Sequence, residues 1–85
     1  MTDQQIIELI NSSLAEEFEY QGEMNPETSL FEEMGLDSLD VVDLVIVLET
    51  AFDMKIREEE AIRSIRTLGD IHKFVIAKKR QTESA

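Results

Sequence analysis

Eight of the ten residues from Leu39 to Leu48 are apolar, and a helix that rich in hydrocarbon exceeds the single inward stripe of a surface helix. Whatever an 85-residue chain folds into must be built around this segment. At about 100° per residue, Val41, Leu44, Val45, Leu48 and Phe52 fall on one side, which is the expected core face. Leu39, Val42 and Ile46 fall on roughly the opposite side, flanked by Asp43 and Glu49. With only a small domain to cover it, that second strip is either buried all round or left outward as an acid-edged docking surface, and we read it as the latter.

The segment's start is equally specified. Gly35 ends a turn, Asp37 stands at the cap position with Asp40 three residues on, and both acids satisfy free backbone donors and complement the positive end of the helix dipole. Ser38 is then an exposed serine in the first turn. A helix amino terminus favours a phosphate, because free N–H groups and the dipole both favour negative charge. The sequence therefore points to a serine that carries a phosphate or a phosphodiester.

Three other segments are predicted to be helical and none reads as a strand. Thr2 and Gln5 form a capping-box pattern ahead of Ile7, Ile10, Leu14 and Phe18, which gives a helix from Asp3 to Glu19. A short acidic segment from Glu58 to Arg63 gives a third helix. Thr67 and Asp70 cap a fourth, in which Leu68, Ile71 and Val75 share a face and Lys78, Lys79 and Arg80 suit its negative end. Between the first two helices, residues 20–36 hold Gly22, Pro26 and Gly35 without a sustained period, so a long loop is expected, anchored by Leu30, Phe31 and Met34. The expected fold is all-α, a four-helix bundle with one short third helix and a long loop between helices 1 and 2. Residues 1–80 form the domain and 81–85 a flexible C-terminal tail.

Charge and composition exclude several function classes. Residues 1–54 hold 14 acids and no base, and all eight basic residues lie from Lys55 onward. Such a surface repels nucleic acid and anionic membrane and attracts partners that present arginine and lysine. With no cysteine, no disulfide, thiolate zinc site or intrinsic thiol chemistry is available, so any thiol must be borrowed. No EF-hand loop is present, and no metal site is expected. Lacking an apolar stretch of membrane-spanning length and a signal-peptide pattern, the chain reads as a cytoplasmic protein without membrane insertion. An enzyme with Ser38 as nucleophile would need a base, and the single histidine, His72, lies on a distant segment beside Lys73, where it reads as solvated surface.

The run Gly35-Leu36-Asp37-Ser38-Leu39-Asp40, followed by Val42, Asp43, Leu44 and by Leu48-Glu49-Thr50-Ala51-Phe52-Asp53, resembles the acyl carrier protein family, of fatty-acid or polyketide type. The resemblance runs over the four-helix layout to about Ala77. It implies a carrier and not an enzyme: Ser38 would receive 4′-phosphopantetheine from coenzyme A, covalently, in a magnesium-dependent transfer by a separate phosphopantetheinyl transferase. Acyl intermediates would then ride on the arm as thioesters in fatty-acid, polyketide or related acyl biosynthesis. By the same resemblance Asp37 is a cap and a contact for the transferase, and Leu39, Asp40, Val42, Asp43, Ile46 and Glu49 are recognised by acyl-transfer and condensing enzymes with basic docking patches. The acyl chain would retreat beside Leu44, Leu48, Phe52, Ile56 and Ile65, and the carrier would act as a monomer. Family members often differ at Val41, Val47, Thr50, Ala51, Lys55 and Arg57, and the third-helix region here runs one residue longer, which suits either a carrier dedicated to one pathway or ordinary drift within the family. The alternatives are an aminoacyl or peptidyl carrier of nonribosomal synthesis, and an acidic helical interaction module in which Ser38 only caps or is phosphorylated.

Overall fold

The structure, a computed structural model, describes residues 2–83. Four helices follow in order: α1 (Asp3–Glu17), α2 (Ser38–Phe52), α3 (Glu58–Ser64) and α4 (Leu68–Glu83). α1 packs against both α2 and α4, and the short α3 bridges α2 and α4. The C-terminal boundary expected at residue 80 falls inside α4, which reaches Glu83; the rest of that tail, Ser84 and Ala85, lies outside the described residues.

The helix starts are set by side chains reading their own backbone. Thr2 and Gln5 close a capping box at α1, with the Gln5 N–H donating to Thr2 Oγ1 at 3.1 Å and the Thr2 N–H to Gln5 Oε1 at 2.9 Å. At α4 the Asp70 N–H donates to Thr67 Oγ1 at 3.3 Å, while Asp70 Oδ2 accepts from the N–H groups of Arg66 and Thr67. α1 stops two residues before the expected end, where Glu19 takes a left-handed conformation at φ 51°. α2 ends on Asp53, also left-handed at φ 50° and ψ 53°; short acidic side chains tolerate that region better than most residues.

The core is one cluster running through all four helices. α2 supplies Val41, Leu44, Val45, Leu48 and Phe52, all buried, which is the face its periodicity predicts. In α1 the buried stripe is Ile6, Ile10 and Leu14, whereas Ile7 is half-buried beside it. The i, i+4, i+8 spacing starting at Ile6 keeps one line of branched side chains against α2 and α4, and Ile7 falls off that line.

The long loop is tied down more firmly than its composition suggests. Leu30 and Leu36 are buried, but Phe31 is 36% exposed and does not anchor the loop. Instead the loop backbone pairs with the α3–α4 connection: the Leu30 N–H donates to the Arg66 carbonyl at 3.0 Å, the Leu68 N–H to the Thr28 carbonyl at 3.0 Å and the Gly69 N–H to the Pro26 carbonyl at 2.9 Å, around an isolated antiparallel bridge between Ser29 and Thr67. A Cβ at Gly69 would stand 2.9 Å from the Pro26 carbonyl oxygen, so this close approach requires glycine. The buried Thr28 hydroxyl is satisfied locally, accepting from the Asn25 N–H at 2.9 Å and donating to the Glu23 carbonyl at 3.3 Å.

His72 is not surface. It is buried on α4, and its Nε2–H donates to Asn11 Oδ1 on α1 at 2.8 Å. Burial penalises the imidazolium and holds the pKa below the ordinary 6.5. As the pH falls, the unfolded chain takes up this proton before the folded one, so the contribution of the neutral ring is complete above about pH 6.5 and is lost below it. Between about pH 7.5 and 5.5 the melting temperature of the native protein is expected to fall relative to that of His72→Gln, the comparison cancelling the shared titration of the carboxylates. A difference between the two that does not change with pH would refute this role.

Candidate functional site

The site is built on the amino-terminal turn of α2. Gly35, at φ 70°, makes the left-handed turn that a side chain would strain, and Leu36 is buried beneath it. Asp37 follows in extended conformation and caps the helix. Its Oδ1 accepts from the Leu39 N–H at 2.9 Å and the Asp40 N–H at 3.0 Å, and Asp40 Oδ2 accepts from the Asp37 N–H at 3.0 Å. Ser38 is thereby held as the first residue of the helix, exposed, with no hydrogen bond from its hydroxyl to another described residue.

This geometry alters one expectation. Two of the amides that would greet a phosphate at the helix start already belong to Asp37. A negative group on Ser38 meets the favourable dipole but lies beside two carboxylates and projects into solvent instead of being cradled.

Downstream of the serine, Leu39 is 76% exposed and Ile46 is 53% exposed, with Val42 half-buried between them and Asp43 exposed at their flank. The outward strip therefore exists. Asp40 and Glu49 are half-buried, and each holds part of the backbone in place. Asp40 completes the capping box, and Glu49 Oε2 accepts from the Ile56 N–H at 3.0 Å, fixing the turn between α2 and α3. Ile62 on α3, 41% exposed, is a further exposed large apolar side chain and is absent from the residues singled out by sequence. Its signal is a spacing: Ala61 and Ile65 are buried four positions apart and leave Ile62 turned outward.

Leu44, Leu48, Phe52, Ile56 and Ile65 come together in the core, none more than 7% exposed. They form a closed apolar interior. His72 is bonded to Asn11 and is not aimed at Ser38, so the serine has no imidazole base. No helix of the described residues is long and apolar enough to cross a membrane.

The family model for the phosphopantetheine attachment site matches residues 6–75, a span that runs from α1 to α4 with Ser38 inside it. The chain is also 39% identical over 80 residues to a protein named acyl carrier protein from Prochlorococcus marinus (strain MIT 9515), covering 93% of this chain and 99% of that relative. The chain belongs to the acyl carrier protein family. An acyl carrier protein is a carrier and not an enzyme, and its cofactor is 4′-phosphopantetheine. That cofactor accounts for a chain with no cysteine, because the thiol comes with the arm. The acyl carrier role also implies traffic with acyl-handling enzymes and with a transferase that installs the arm.

Proposed function

We propose that Ser38 is the attachment point of the arm and that α2 is the handle by which partner enzymes grip the carrier. The observation that carries this reading is the exposed, unbonded hydroxyl of Ser38 at the first position of α2, inside the matched span. The serine Oγ bonds to a phosphorus of coenzyme A's pyrophosphate, the bond from that phosphorus to the nucleotide side breaks, and the hydroxyl proton leaves to a base of the transferase. Once bound, the arm supplies a thiol on which acyl groups are held as thioesters. The residues of this chain orient and present: Asp37 fixes the turn that exposes Ser38, and its carboxylate faces the basic surface of the transferase.

Leu39, Val42 and Ile46 form the apolar centre of the docking surface and Asp40, Asp43 and Glu49 its acidic edge, a pattern that suits partners with basic patches. The buried cluster at Leu44, Leu48, Phe52, Ile56 and Ile65 is the place where an acyl chain lodges, by parting side chains that close on each other when no cargo is present. The acyl group belongs to fatty-acid or polyketide-type synthesis, in keeping with the acidic first 54 residues.

The test is an intact-mass measurement after incubation with coenzyme A, magnesium and a broad-specificity phosphopantetheinyl transferase. The expected result is a single phosphopantetheine addition that fragmentation places on Ser38; an addition elsewhere, or none, overturns the assignment. Ile46→Glu checks the handle. Because Ile46 is half exposed, the variant is expected to melt within about 3 °C of the native protein while its loading at low carrier concentration slows several-fold. A molten circular-dichroism spectrum would place Ile46 in the core instead.

A further inference from the structure

A cleft of about 410 Å³ opens between α1 and α2, to which α2 contributes Ile46, Val47, Thr50 and Ala51 and α1 contributes Ser13, Glu16 and Glu17. It adjoins the strip described above, sharing Ile46 with it, and extends from there toward α1. Its size is at the lower end for ligand pockets, and it is open to solvent, which suits one inserted side chain better than an enclosed small molecule. Glu16 and Glu17 are exposed, and neither meets a basic side chain among the described residues.

The two flanks of α2 differ in charge. Toward α3 the exposed residues include Lys55, Arg57, Arg63 and Arg66 among the glutamates. Toward the cleft neither its lining nor the rest of α1 carries a base, and Arg80, which α4 brings to α1, pairs with Asp3 at the opposite end of that helix from Glu16 and Glu17. A cationic partner is partly repelled on the first flank and attracted without opposition on the second.

From the apolar patch of Ile46, Val47 and Ala51, the free carboxylates and this asymmetry, we infer that the α1–α2 cleft is a docking groove for a basic helix of a partner protein, seated through one apolar anchor side chain. The inference rests on the carrier reading, because a carrier must be gripped by other proteins. It moves the footprint: the partner straddles α2 and α1, with its arginines or lysines over Glu16 and Glu17 and its anchor against Val47 and Ala51.

The probe is a synthetic helical peptide of about 15 residues with one leucine anchor flanked by arginines, titrated into the isotopically labelled full chain. Saturable shifts are expected at the amides of Glu16, Glu17, Val47 and Ala51, weakening as salt is raised. The Glu16→Lys, Glu17→Lys double variant places cations at the carboxyl end of α1, where the dipole favours them, so it should fold; its affinity is expected to fall about tenfold or more, as is that for a peptide with alanine as its anchor. Shifts confined to Leu39, Val42 and α3, equal binding by the double variant, or equal binding of the anchorless peptide would each overturn the groove. So would closure of the groove to the peptide on loading of the arm, since the occupant would then be the chain's own cofactor. Loading is measured by mass on a separate sample: a chain that takes the arm but binds no peptide loses only the groove, and one that binds the peptide but takes no arm loses only the assignment of Ser38.

Discussion

Ser38→Ala is expected to leave the intact mass unchanged after incubation with coenzyme A, magnesium and the transferase, while the native chain goes essentially to completion. The effect is all or none because the substitution deletes the atom that forms the new bond. It costs the fold little: Ser38 is exposed, its hydroxyl bonds to no described residue, and the cap of α2 is made by Asp37 and Asp40. Alanine is also the better helix former. The variant should therefore melt at or slightly above the native temperature, which separates loss of loading from loss of structure. A Ser38→Ala protein that still gained phosphopantetheine would move the attachment point elsewhere.

The largest effect on stability is expected from Leu48→Ala. Leu48 is wholly buried on the inward face of α2, and truncating such a leucine costs about 2–5 kcal/mol. A domain of this length holds only about 4–13 kcal/mol in total, so much of its stability is at stake. The melting temperature, followed by far-ultraviolet circular dichroism, should fall by about 10–25 °C. If the acyl chain lodges beside Leu48, a long-chain thioester on the arm should restore part of that loss by filling the vacated space, and raise the variant's melting temperature more than the native protein's. A fall of less than about 4 °C would show an interior loose enough to absorb a missing isobutyl group, and an equal effect of cargo on both proteins would place the chain elsewhere.

The features legible in the sequence are local ones. The inward face of α2 follows from periodicity, and the boxes at Thr2, Asp37 and Thr67 follow from residues three positions apart that read their own backbone. The features hidden from it depend on partners distant in the chain. His72 sits beside Lys73 in a polar neighbourhood, and nothing local announces that Asn11, 61 positions earlier, receives its N–H. Glu49 looks like one more surface acid until the chain turns and brings the Ile56 N–H to it. Leu30 and Phe31 are adjacent apolar residues in a segment with no period, and only the pairing of the Leu30 backbone with Arg66 decides which side chain goes inward. At the site itself the serine and its apolar strip are legible, whereas the cleft against α1 arises from the packing of two helices and has no signature in either one.

Asp37 occupies the amides of Leu39 and Asp40, and this has a mechanical consequence for the loaded carrier. With the arm on Ser38 as proposed, its phosphodiester would find those donors taken and two carboxylates at its side, so its first rigid link would gain little by lying against the protein. The arm would then be a crane jib pinned at one swivel, free to sweep a broad volume when empty and drawn back to the protein only by an acyl chain lodged in the core. Transfer between successive enzymes would then require release of the cargo from the interior, and no separate step that frees the phosphate end of the tether.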